Sequence, residues 1–211
     1  MEPFETFEHA GMTCRLYQDY DAGNPFTEWD QASELLSDVK GYDLGGDVPH
    51  PESAYADTPA SATMARWLTL FGGYALAIPW TFQDYGSSGA RTWLTTPDDD
   101  PADGWLVLTR EAFEREFGAY GMPLRIEDES EERSAERTIR AEFDAFRAWV
   151  EGEVIGYVVE DENGEHVDSC WGFYGEPEHV RQEARSAAEH EAHERWLEVE
   201  PPDVAEVLAV A

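Results

Sequence analysis

The chain has 211 residues, 46 of them acidic and 14 basic, giving a formal net charge of −32. That sign opposes direct binding to a nucleic-acid backbone, whose affinity comes from Lys and Arg displacing counterions, and to anionic lipid surfaces. A hydrophobic share of 42%, with 8 Trp, 9 Tyr and 10 Phe, excludes a disordered acidic chain, which would be poor in aromatics.

In chain order, MEPFETFEHAG has neither a basic start nor an apolar run and is read as no signal peptide. Met12–Tyr17 reads as a short strand, and Gly23, Asn24 and Pro25 as a turn. Residues 17–57 hold ten acids and one base, Lys40, and read as a Gly/Pro-punctuated loop region. Thr63–Phe71 fits a short helix stopped by Gly72–Gly73. YALAIPWTFQDY, RTWLTT and GWLVLT, separated by GSSGA and PDDDPAD, predict an antiparallel meander, with Pro79 at an edge or a strand start. The apolar region WLTLFGGYALAIPW is only 14 residues long and contains Gly and Pro, too short for a bilayer span.

Thr109 predicts an N-cap for a helix ending at Gly118. Ser130 to Glu151 predicts a longer helix, with Ile139, Phe143, Phe146 and Val150 inward and Glu136–Arg140 on the wet face. Asn163–Gly164 predicts a type I′ hairpin turn with positive φ at both residues, pairing Asp161 with His166, Val159 with Asp168 and Tyr157 with Cys170. Val154, Val158, Val167, Trp171 and Phe173 then share one face; Ile155, Tyr157, Val159 and Cys170 share the other, as in an interior hairpin. Pro177 opens a final helix to about Leu197. The fold class expected is α+β, an antiparallel sheet with three to four helices. It is read as one domain in which an acidic strand-and-loop region, 1–60, belongs with a core, 61–197, followed by a tail, 198–211.

His166, Asp168, Ser169 and Cys170 are chemically suggestive neighbours. A nucleophilic Cys needs a base at hand and a positive environment. His166 lies four residues from Cys170 along an extended strand, roughly 13 Å, and the surroundings are negative. Cys170 is therefore expected buried and inert. His190 and His193 stand at i,i+3, with His179 on the same helix side; HExxH is absent, so they read as a solvated face rather than a metal site. Asp98–Gly104 lacks the EF-hand ladder, and GSSGA lacks a P-loop Lys. No catalytic residue, cofactor or metal is assigned. Cys14 and Cys170 do not make a disulfide framework and fit a reducing cytoplasm.

Three elements together carry a resemblance: Tyr17–Asp19 with Glu28–Asp30, Gly104–Gly118, and above all GYVVEDENGEHVDSCWGFYG at Gly156–Gly175. The chain resembles a group of uncharacterised proteins common on phages, plasmids and some bacterial chromosomes. The segment after Asp30 matches only loosely the strand-like run that group shows there. The resemblance implies an α+β architecture and a mobile-element setting, and it brings no activity or site residue.

The expectation is a non-enzymatic acidic protein of a mobile element, a DNA mimic acting on a basic partner such as a DNA-binding defence enzyme. It binds no nucleic acid directly and no membrane. The candidate surface is Asp98, Asp99, Asp100, Asp103, Glu127, Asp128, Glu129, Glu131, Glu132, Asp161 and Glu162. The alternative is a haloadapted accessory protein whose charge serves solvation, since self-repulsion at this charge disfavours the compact state at low salt. A third reading is a thiol- or metal-dependent hydrolase.

Overall fold

The computed structural model describes residues 1–49, 61–96, 102–118 and 130–199. The chain divides into two units: Met1–Ala22 with Gly152–Ala211, and Gly23–Glu151 between them. The expected α+β class holds, with two largely antiparallel sheets and five helices among the described residues.

The discontinuous unit opens with a hairpin of β1 (Glu5–His9), which was not expected, and β2 (Met12–Gln18), the strand expected at Met12–Tyr17. Its turn residues Ala10 and Gly11 have φ of 50° and 78°, the type I′ geometry whose twist matches paired strands. After the intervening unit, β8 (Val154–Glu160) pairs with β2, and β9 (His166–Tyr174) pairs with β8. The sheet order is β1-β2-β8-β9. Helix α5 (Pro177–Val199) covers one face, placing Val180, Ala184 and Ala188 against Met12, Cys14, Leu16, Ile155, Tyr157 and Val159.

Three expectations about the second hairpin need correction. Only Gly164 has positive φ, at 78°. Gly164 N–H donates to Asp161 O and Asp161 N–H to Glu165 O, both at 2.9 Å, which makes a three-residue loop. The Asp161 carboxylate selects it by accepting from Asn163 N and Glu165 N, each at 2.9 Å. His166 consequently pairs with Glu160, not Asp161, while the Val159–Asp168 and Tyr157–Cys170 pairs stand as expected. Second, β9 is an edge strand, not an interior one. Third, Cys170 is exposed rather than buried. Register shifts between Ile155 and Tyr157 and between Val159 and Glu160 break the strict alternation, so Val167 and Phe173 join the α5 side with Tyr157.

In the continuous unit, Asn24 caps the single turn α1 (Pro25–Glu28), accepting from Phe26 N at 2.9 Å. The region expected to be loop then holds β3 (Glu34–Ser37) and β4 (Gly46–Asp47). Next come α2 (Ser61–Leu70), β5 (Tyr74–Asp84), β6 (Ala90–Leu94) and β7 (Gly104–Thr109). Helices α3 (Arg110–Glu116) and α4 (Glu131–Val150) complete the unit. Thr109 is the N-cap of α3, as expected, and Ser130 is the N-cap of α4.

The sheet order is β4-β3-β7-β5-β6, with β4 parallel to β3 and the other pairs antiparallel. The three-strand meander is thus rearranged: β7 crosses to the other side of β5. Composition explains it. GWLVLT is apolar on both faces and takes the centre, sending Leu106 and Leu108 toward one core cluster and Trp105 and Val107 toward another. ARTWL alternates, with Arg91 and Trp93 exposed, and suits an edge. Pro79 sits in an interior strand, contrary to expectation. Its carbonyl accepts from Thr95 N at 2.9 Å, so its nitrogen faces the same side, and lacking an N–H to return to Thr95 it ends the β5–β6 ladder there.

Under α4 the core is aromatic. Trp80 is fully buried, its indole N–H donating to Leu36 O at 3.1 Å. Its ring lies 6.2 Å from Phe143 and 5.9 Å from Phe146. The Glu142 carboxylate accepts from Ala32 N at 2.8 Å, Ser33 N at 3.0 Å and the Ser33 hydroxyl, pinning the entry to β3 onto α4.

Candidate functional site

The segment that carried the resemblance folds into a specific arrangement on the sheet face away from α5. Gly156 pairs with Tyr17, so a side chain at 156 would point to the Tyr17 side. That space is filled by the Trp171 indole, which a Cβ on Gly156 would overlap. Opposite Gly156, β9 carries two residues, Trp171 and Gly172, and Gly172 takes a φ of 79°. Glycine meets this left-handed bulge without the strain a Cβ would bring. The Gly172 N–H donates to Asp19 Oδ2 at 3.0 Å, and Asp19 Oδ1 accepts from Asp21 N at 3.2 Å. Trp171 lies 5.9 Å from Tyr17, centroid to centroid, yet remains 42% exposed. On the same face Arg15 is ion-paired with Glu160.

The two motif elements separated by 153 positions, Asp19 and Gly172 with its neighbour Trp171, therefore form one clasp. Sequence reasoning treated them as independent markers. A glycine inside a strand pattern, at both Gly156 and Gly172, was the signal that could have joined them, because such glycines mark bulges and close approaches.

The residues first suspected of catalysis are held differently. Asp168 accepts a 3.1 Å hydrogen bond from the Tyr157 hydroxyl. Burial, then the Asp168 charge, push that phenol well above its usual range, so it stays a donor. Burial, reinforced by Glu8, also raises the Cys14 thiol, which contacts Ala184 O. Cys170 Sγ has Trp171 O at 3.9 Å. On α5, His179 makes an edge contact with Phe173, His193 stacks on Trp196, and His190 is exposed. Among the described residues no group of three or more His, Cys, Asp or Glu is placed to hold a metal ion, and no helix is long and apolar enough to cross a membrane.

Of the candidate acidic surface, Asp98, Asp99, Asp100, Glu127, Asp128 and Glu129 lie outside the described residues, as does the tail from residue 200. Asp161 is only 5% exposed. Its carboxylate is held below the usual range first by the Glu165 N–H, and by Arg195 and the Asn163 N–H as well. It is a structural anchor, a correction to its place on an interaction surface. Asp103 is half-buried and accepts from Phe82 N at 2.8 Å, so it too is committed to the fold. Glu131, Glu132 and Glu162 reach solvent, in different units.

No protein-family model, curated protein or solved structure matches this chain.

Proposed function

We propose that this chain is a non-enzymatic binding protein that acts through its negative field on a basic, nucleic-acid-binding partner, as a DNA mimic carried by a mobile element. The formal charge of −32 carries the reading. Duplex DNA presents roughly one charge per 1.7 Å of axis, and a folded chain of this charge offers a comparable field to a surface built to receive phosphates. Exposed acids such as Glu132, Glu162 and Glu194 remain available after the fold has taken Asp103, Glu142 and Asp161. Steering by such a field makes association fast and salt-dependent. The mobile-element setting rests on the hairpin resemblance. The test is competition: at low salt the purified protein should displace DNA from a restriction or CRISPR-type effector and lose that effect as salt rises. Unchanged DNA binding across a panel of such effectors overturns the reading.

A second reading, haloadaptation, is favoured by one observation. Exposed acids occur on β1, β3, α3, α4 and α5 alike, in both units, rather than on one element. It predicts a folding midpoint that climbs steadily to molar salt.

A further inference from the structure

We infer that the Trp171–Tyr17 clasp is an aromatic docking platform for an arginine side chain of a basic partner protein. This rests on the binding function proposed above and names the place where it is exercised. Trp171 lies on an edge strand, and three separate devices hold it there: the gap left by Gly156, the Tyr17 ring, and the left-handed Gly172 fastened to Asp19. A tryptophan needed only as core would be buried, as Trp80 is. This one is fixed in orientation while 42% of it stays open to solvent. A preorganised indole presents its negative π-face to a cation, and a planar guanidinium stacks on it better than an ammonium does.

The charge around it fits the same occupant. The Asp19 carboxylate is close by, Glu8 and Glu160 share the face, and the cation there, Arg15, is already paired with Glu160. An incoming arginine meets net negative charge, whereas a phosphate or an acidic peptide is repelled.

The experiment uses the full chain and a fluorescently labelled nona-arginine peptide, with nona-lysine beside it, at fixed low salt. Trp171→Leu leaves the net charge unchanged, so the field alone should bind the variant as it binds the wild type. The platform predicts that Trp171→Leu weakens nona-arginine binding by about threefold to thirtyfold, that Trp171→Phe falls between, and that nona-lysine is affected less. Equal affinity of wild type and Trp171→Leu for nona-arginine overturns the platform while leaving the field reading intact. Absence of any salt-sensitive binding to the wild type overturns both. If Trp171→Leu does not fold, indole N–H resonances of the wild type decide. The resonance missing from the Trp171→Phe spectrum must be the one that moves most on titration, and a uniform or absent response defeats the proposal.

Discussion

Under α4, the sheet of residues 23–151 meets Ile139, Phe143 and Phe146; under α5, the sheet of the other unit meets Val180, Ala184 and Ala188. One helix fills its interface with rings, the other approaches its strands through small side chains. Their ion pairs differ in the same way. Those of α4 run along the helix, Glu136–Arg140 and Asp144–Arg147. α5 has along-helix pairs too, such as Arg181–Glu178, but it also reaches across to the sheet or its hairpin: Arg181 to Glu5 at 2.7 Å, Glu189 to the His9 ring at 2.7 Å, and Arg195 to Asp161 at 3.0 Å. The lesson is that two α+β units of one acidic chain fail by different routes. The first is vulnerable to lost volume; the second is vulnerable to added volume and to altered charge.

The sharpest way to break this contrast is to exchange the insults. Phe146→Ala should destabilise the protein by about 3–5 kcal/mol, because a fully buried ring leaves a cavity between Trp80 and Phe26. Denaturant unfolding measures this, and a loss under 1 kcal/mol would mean the ring cluster does not hold that unit. Ala184→Leu should cost about 1–3 kcal/mol by overpacking against Cys14; a stabilised variant would show that α5 has room to spare.

Gly156→Ala comes next, at about 1–3 kcal/mol, since its methyl displaces the Trp171 indole. Combining it with Trp171→Ala should recover part of the loss, and strict additivity of the two changes would show that they do not share a contact. Acid separates the units more gently. Hydrogen bonding to Arg181 lowers Glu5, and the Glu165 N–H lowers Asp161. A carboxylate depressed in the folded state contributes stability that is present above its unfolded value, about 4, and lost as pH falls through the folded value. Melting temperature should therefore drop below about pH 4, and Asp161→Asn should flatten that limb; an identical acid profile in the variant removes Asp161 from the account. The smallest effect concerns no stability at all. One thiol per native chain, Cys170, should react with an aromatic disulfide reagent while buried Cys14 waits for denaturant; two fast thiols would mean that α5 does not cover β2.

Much of this was legible in the sequence. The cap at Thr109, the stripe of α4 and two of the three hairpin pairs follow from local rules and appear as read. Sheet order was not, because whether GWLVLT lies beside RTWLTT or across β5 is decided by which strand can bury both faces. The I′ turn lay at Ala10–Gly11 and not at Asn163–Gly164, since the Asp161 side chain outbid the dipeptide preference. Cys170 was misplaced for a related reason. Strand alternation sets facing, while its exposure comes from β9 standing at the sheet edge, a property of the whole topology.

The pairing of β2 with β8, Gln18 opposite Ile155 and Asp19 N–H on Val154 O at 2.8 Å, has a consequence for assembly on the ribosome. The strand that residues 1–22 must bond to is made only after the whole of Gly23–Glu151. Through that interval the first hairpin has its own turn and one unsatisfied edge, with Cys14 and Leu16 uncovered. Among the described residues the inserted unit, continuous in sequence, has its last strand by residue 109 and its last helix by residue 150. It is therefore complete before β8 is made. β2 is thus made early and paired late, and any slowing of translation between residues 23 and 151 lengthens its exposure.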